Sequence, residues 1–404
     1  MKNETPVPVL MYHTVGIPNK DWMWKHLTCP YDKFENQMKW LRKTGFVTIN
    51  LEDLYNSVFN NKKLPKKSVI LTFDDGFADN WIFAYPIMKK YGMKGTIFVN
   101  PEFVDKRNII RKRADEVSSI DKLNLSDTSG FLSWQELQIG EKEGVFDPQS
   151  HAMTHTWYPV SDKIIDFRHP SDIYIWNTWN NNIDKKPHLQ FDDENLINYG
   201  EPVYENDKSL SSPRYFPDKE IALDLKRYVE THGNIEFFKG PRWKEILFEQ
   251  AEKAKKIHKN DRYESEKEYK ERIWRELYDS KKILEENLNK KVEFLCWPGG
   301  SGTQTGVYLA RKIGYKMTTA AKDLPRSFRD SLLNLPSEKS DRFSRTSAIL
   351  FWDGRTEKDS KVVYHSGFTL ILSLLEYKRI FFAHFWARLI RKILKEILRL
   401  FKTS

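Results

Sequence analysis

"SVILTFDDGFADN", residues 68–80, runs an apolar segment straight into two adjacent carboxylates and a glycine. Residues Ser68 to Phe73 have the unbroken Val/Ile/Leu/Phe character of a strand covered on both faces, which is how strands of a parallel sheet read. At the carboxyl end of such a strand the chain turns. Gly76 permits the turn, so the side chains of Asp74 and Asp75 can face one crevice instead of opposite sides of the sheet. Two carboxylates that close are costly to keep ionised together. A divalent cation on one of them relieves the conflict and lowers the pKa of a water that the other can deprotonate. An isolated Asp-Asp-Gly also serves as a helix N-cap or a turn pair, so its meaning depends on what other strand ends bring to the same place.

Working outward, "VPVLMY", "FVTI", "GTIFV", "GVF", "VEFLC" and "YKMTT" are further short apolar runs separated by helix-like stretches. In "YDKFENQMKWLRKTG" Phe34, Met38 and Leu41 fall at helical spacing before Gly45, and "FADNWIFAYPIMKKYG" stops at Gly92. Strands alternating with helices predict βαβ units in a wound or barrel-like parallel sheet. A chain of 404 residues can bury one large core or two ordinary ones. The rhythm breaks between about 160 and 260, where Pro, Asn and aromatic residues accumulate before a charged helical stretch, predicting an inserted lid or side subdomain. It resumes with a long helix that places Ile273, Leu277, Leu284 and Leu288 on one face and feeds "VEFLC". The predicted division is therefore 1–156 for the first part of the barrel, 157–262 for the insertion, 263–365 for its second part and 366–404 for a C-terminal segment.

That last segment differs in kind. From Trp386, the residues Leu389, Ile390, Ile393, Leu394, Ile397, Leu398 and Phe401 follow a 3.6-residue period, with Arg and Lys on the other face. Such a helix either docks on the domain or lies on an anionic membrane surface with Phe385 and Trp386 at the interface; "FTLILSLL" before it is too short to span a bilayer. Elsewhere the 66 basic and 56 acidic residues are interspersed, so the net charge of +10 does not argue for nucleic acid. Cys29 and Cys296 are too few for a disulfide framework, and "MKNETPVPVL" has no apolar export core; both predict a reducing, cytoplasmic setting.

A second polar cluster stands in "FDPQSHAMTHTWYP", again after a short apolar run. His151 and His155, at i and i+4, can share one side of a helical turn or tight loop, and neutral imidazole suits zinc or a similar ion. With Asp75 they would make a facial triad with open positions. Ala152 stands where a metalloprotease has its glutamate, so the base must come from elsewhere, and Asp74 is the candidate. A third element, "LCWPGGSGTQTG", runs a strand into a glycine-rich turn and a helix. It is neither a P-loop nor a dinucleotide fingerprint, and it reads either as backbone N–H groups aimed at an oxyanion or as an ordinary turn.

Together these stretches resemble the polysaccharide deacetylases, the NodB-homology group also called carbohydrate esterase family 4. "TFDDG" is similar to that family's first motif, "HAMTH" to its second and "WPGG" to its third. "VPVLMYHTVG", "YGMKGTIFV" and "FLSWQELQ" agree in order around them. The resemblance implies a distorted (β/α)-barrel. It also implies a divalent metal, usually zinc, held by Asp75, His151 and His155, and Asp74 as base on the water bound there. The N–H of Gly299 would assist the oxyanion formed when an N-acetyl or similar group leaves an amino sugar. The family often orients its base with an Arg in the third motif; here that place falls on Cys296, leaving Asp74's partner unidentified. His365 in "KVVYHSG" is the candidate late general acid, and His13 after the first strand is a second. Substrate contacts are expected from His13, Trp297 and Trp176, with Tyr174 and Trp179 as further aromatics. Arg214 can meet a phosphate or pair with a nearby acid.

The expected function is a metal-dependent deacetylase acting on an amino-sugar polysaccharide or a lipid-linked saccharide, in the latter case at the inner face of a membrane. The alternative is a catalytically silent carbohydrate-binding protein on the same fold.

Overall fold

A computed structural model describes residues 4–378 except 20, 23, 125–127, 129, 190–192, 348 and 352–362, and beyond them 385, 386, 389, 390, 392 and 393. The strands that position the site are Val9–Tyr12 (β1), Val47–Thr48 (β2), Ser68–Phe73 (β3), Gly95–Val99 (β4) and Phe146–Ser150 (β5). A ribbon follows, Trp157–Phe167 (β6) and Pro202–Lys208 (β7), and then Phe294–Leu295 (β8), Met317–Thr319 (β9), Arg342–Phe343 (β10) and Thr346–Ser347 (β11).

All but the ribbon belong to one nine-stranded sheet in the order β10-β9-β8-β5-β4-β3-β1-β11, with β2 off this path and paired to the first two residues of β3. Every pairing in it is parallel. Each apolar run read as a strand from the sequence lies in this sheet, and the barrel-like α/β expectation holds. The sheet curls until its two ends, β10 and β11, stand either side of Ser344 and Arg345, so a two-residue link forms the seam.

Alternation along the strands sorts side chains between two cores. Val69, Leu71 and Phe73 of β3 face the surrounding helices with Leu10, Ile97 and Leu295. Ile70 faces the barrel interior with Val9, Phe98, Phe294, Cys296, Met317 and Phe343. On that parity Thr72 and Asp74 also point inward, so the first carboxylate arrives at the barrel mouth by strand register alone. Each fully buried aliphatic in these layers stabilises the fold by about 1.5–3 kcal/mol.

The outer layer includes Tyr31–Lys43 (α1), Leu51–Asn60 (α2), Tyr85–Tyr91 (α3) and Trp134–Lys142 (α4). Phe34, Met38 and Leu41 of α1 are buried as their spacing predicts. After the insertion the long helix Glu266–Leu288 buries Ile273, Leu277, Leu284 and Leu288.

The inserted region has two parts. Ribbon β6–β7 packs under helices Lys219–Thr231 and Trp243–Ile257 around a separate apolar cluster that includes Phe167, Tyr204, Leu225, Val229 and Leu247. The short helix Ile175–Asn181 instead turns back, and its Ile175 and Trp179 join Trp22, Phe77, Phe103 and Phe131 above the strand ends.

Helix Gly367–Tyr377, which contains "FTLILSLL", buries Leu370, Ile371 and Leu374, and its Phe368 meets Trp40 of α1. Most of the basic amphipathic stretch predicted beyond it lies outside the described residues. Among the described residues no helix is long and apolar enough to cross a membrane.

Candidate active site

The carboxyl ends of β1, β3, β5 and β8 surround a cavity of about 640 Å³. Asp74 closes β3, and its N–H donates to the Tyr12 carbonyl at 3.0 Å. The turn starts one residue earlier than the glycine suggested: Asp75 itself is left-handed (φ 69°), followed by Gly76 (φ 73°). That reversal breaks strand alternation and sends both carboxylates into the same crevice. "HAMTH" is a tight loop, not a helical turn, with left-handed Ala152 (φ 58°) and His155 (φ 41°). Left-handed backbone at three non-glycine residues costs free energy, of order 1–3 kcal/mol each, and such strain concentrates at functional sites.

These turns bring Asp75 Oδ1 to 3.2 Å from His151 Nε2 and 3.4 Å from His155 Nε2. His151 Nδ1 lies 2.8 Å from the Cys296 carbonyl, which can only accept, so Nδ1 carries a proton and, in the neutral ring, Nε2 presents the lone pair. Asp75 Oδ1 is buried with no hydrogen-bond partner. Burial opposes ionisation of Asp75, but the charge that His155 and His151 carry when protonated outweighs it and holds the carboxyl well below its usual range, His151 itself lying well above its ordinary value. Burial likewise pulls His155 down to about 4, against the pull of Asp75, keeping that ring neutral. An orphaned carboxylate oxygen facing imidazole nitrogens, all within 4.8 Å of one another, fits a divalent cation and open coordination positions.

Asp74 is 3% exposed and is gripped from across the seam. Arg345 Nη1 and Nη2 donate to its two carboxylate oxygens at 2.6 and 2.8 Å, a bidentate pair. Burial works against ionisation, and Arg345 overcomes it, so the Asp74 carboxyl lies below its ordinary value. Cys296 occupies the place expected for an orienting arginine, and its Sγ sits 3.7 and 3.8 Å from the same oxygens. The partner that the sequence left unidentified is therefore Arg345, 271 residues away along the chain. Only the odd basic residue between two short strands marked it, and periodicity carries no signal for a contact across a barrel seam.

Of the other expected residues, His13 reaches the cavity with Nε2 3.8 Å from Asp74 Oδ2. Trp297 lines it too; its ring is 1% exposed and its buried Nε1 has no hydrogen-bond partner. The glycines after it make room for that indole: a Cβ on Gly302 would come within 2.9 Å of the ring. Gly299 lines the cavity, and its carbonyl accepts from Lys208 Nζ at the end of β7.

Two residues are not brought here. His365 is absent from the cavity wall; it is buried against α1, where Gln37 Nε2 donates to its carbonyl at 2.6 Å. Trp176 also stands off, tilted behind Trp157 at 5.1 Å, so the aromatics that the inserted region brings to this cavity are Trp157 and Trp179 instead. The two rings start only about 60° apart around the helix Ile175–Asn181, and packing separates them: Trp179 meets Trp24 and Phe103 at this cavity, whereas Trp176 meets Trp157 and Tyr174.

The insertion also reaches beneath the histidine loop, which the sequence did not signal. Lys186 is fully buried, donates to the Thr154 carbonyl and pairs with Glu102 at 2.7 Å. Thr154 Oγ1 donates to Glu276 at 2.9 Å. Thr154 directly precedes His155, so one insertion cation and one carboxylate of the long helix set the loop that carries an imidazole.

The family model for polysaccharide deacetylase matches residues 61–182 and 248–318, flanking most of the insertion. A putative polysaccharide deacetylase, YxkH of Bacillus subtilis (strain 168), is 32% identical over 173 residues, covering 40% of this chain and 59% of that one. The poly-beta-1,6-N-acetyl-D-glucosamine N-deacetylase of Staphylococcus aureus (strain MRSA252) is 36% identical over 139 residues, 34% of this chain and 40% of that one. The chain thus spans about three-fifths or less of the length of these curated relatives. A solved de-N-acetylase from Aggregatibacter actinomycetemcomitans aligns over 84% of this chain and 93% of its own, at 16% identity and a TM-score of 0.48. With the matched segments carrying Asp74, Asp75, His151, His155 and the Trp297 turn at the ends of parallel strands, the chain belongs to the polysaccharide deacetylase family.

Proposed function

We propose that the protein hydrolyses the N-acetyl or a similar acyl group of an amino sugar within a polysaccharide. One observation carries the reading. A carboxylate held ionised by a guanidinium stands beside a second carboxylate that faces two imidazoles, inside an aromatic-walled cavity large enough for a sugar. Asp75, His151 and His155 would hold the divalent cation, zinc by the chemistry of the donor set. Bound there, it would lower the pKa of water and polarise the acyl carbonyl.

The chain supplies the rest. Asp74 takes the proton of the attacking water, and Arg345 keeps its carboxylate aimed and charged for that step. The water oxygen bonds to the acyl carbon, and the Gly299 N–H donates to the oxygen on which charge develops. The carbon–nitrogen bond then breaks. His13, 3.8 Å from Asp74 at the cavity wall, is the residue placed to protonate the departing amine, giving free amine and carboxylate. Aromatic walls from Trp157, Trp179 and Phe103 exclude water and offer faces to the sugar ring.

The test is acetate release from poly-N-acetylglucosamine by the zinc-loaded protein, beside metal content. Release by the wild type with none from His151→Ala supports the reading. Polymer binding without release would instead identify a silent binding protein. A lipid-linked substrate and a membrane-surface setting rest on the basic tail; cosedimentation of full-length and tail-deleted protein with anionic vesicles tests them.

A further inference from the structure

Beside the catalytic cavity lies a second one, about 250 Å³, built almost wholly by the inserted region. The two share a wall, because Trp157 lines both. Its ring packs 5.7 Å from that of His155 and 5.1 Å from that of Trp176, which lines the second cavity only. Opposite stands Arg214. Its guanidinium is stacked 4.1 Å from the Tyr158 ring and 4.9 Å from that of Phe216. Its buried Nε has no hydrogen-bond partner, and among the described residues no carboxylate lies within ion-pair distance of it. Glu264 accepts from the Arg214 backbone N–H at 2.8 Å, and Glu201 and Asp218 line the same cavity, but among the described residues none of the three forms an ion pair with the guanidinium.

A buried donor without an acceptor is uncommon in a folded protein, and in a cavity wall it marks where a ligand oxygen belongs. Around it are flat aromatic faces and the carboxamide of Asn177. Aromatic faces take the C–H side of a pyranose, while a guanidinium and an amide take its hydroxyl and acyl oxygens. The volume falls below the roughly 300–1,000 Å³ of sites for drug-sized ligands, which suits a single ring.

We infer that this cavity is a second saccharide subsite, holding the sugar next to the one deacylated at the metal, so that the enzyme acts on chains in preference to single sugars. This rests on the function proposed above and adds the substrate's length and the residues that read it.

The experiment compares β-linked N-acetylglucosamine oligomers with a single N-acetylglucosamine glycoside, using zinc-loaded full-length wild type, Arg214→Ala and Trp176→Ala, and Ala222→Trp to fill the cavity while keeping its polar residues. Loss of one such contact raises KM for the oligomer about tenfold, kcat and single-sugar turnover staying unchanged. Arg214→Lys restores part of the loss. Calorimetry of the oligomer with Asp74→Asn protein, with and without Arg214→Ala, reads the same subsite without turnover. Unchanged oligomer affinity in Arg214→Ala and Ala222→Trp overturns the inference and leaves the deacetylase reading intact. No acetate release from any substrate, with the Arg214 effect on oligomer binding retained, overturns the deacetylase reading and leaves the subsite.

Discussion

Asp74, Asp75 and His151 enter the cavity from strand ends whose backbones are clamped by parallel neighbours, with barrel residues buried almost completely on both sides of the sheet. Trp157, Trp179 and Lys208 reach the same cavity from an inserted region that packs partly on a cluster of its own. The contrast separates two tasks. Chemistry that needs atoms placed to a few tenths of an ångström is assigned to the sheet, where register and close packing leave little freedom. Shape and contacts around the substrate are assigned to an element that could be exchanged without disturbing the sheet.

The sharpest way to break this division is at the barrel carboxylate. Asp74→Asn should retain zinc and lose turnover by about 10²–10⁴-fold, whereas His151→Ala should lose both; metal analysis beside acetate release checks it. Equal activity in both variants and the wild type would remove the barrel from the chemistry.

Next is the seam. Arg345→Met should lower kcat about 10–100-fold with zinc still bound, and destabilise the fold by about 3–5 kcal/mol because Asp74 is left buried and unpaired. Adding Asp74→Asn should recover much of that stability, which thermal melts of the single and double variants would reveal.

Lys186 tests whether the insertion touches the metal site at all. Lys186→Met removes the cation beneath Thr154 and should weaken zinc affinity about tenfold, with turnover largely restored at saturating zinc. Wild-type affinity would confine the insertion to substrate contacts. Smallest on activity is Leu225→Ala in the insertion's own cluster. It should cost about 2–5 kcal/mol locally, visible as faster amide exchange in the ribbon, with zinc affinity unchanged.

Reading the sequence against the structure shows the same division. The strands, the buried face of Glu266–Leu288 and the adjacent carboxylates were legible because each is local: an apolar run, a 3.6-residue period, an Asp-Asp-Gly turn. Arg345 was not, since a guanidinium paired across 271 residues leaves no pattern in either stretch. His365 was misplaced for a related reason. It follows a short strand as a catalytic residue would, but that strand pairs with Ile349–Phe351 in a separate antiparallel hairpin, outside the barrel. Trp176 and Trp179 carry equal aromatic signal, and only the packing around one short helix decides which cavity each enters.

The amino-acid sequence by itself determined the parallel sheet, the crevice at its carboxyl ends and the donor set of one carboxylate and two imidazoles, because hydrophobic period and turn chemistry act over a few residues. Tertiary structure alone decided what grips the base, what braces the histidine loop and which aromatics face the cavity. Those depend on closing the sheet upon itself, and closure brings together side chains that no local pattern relates.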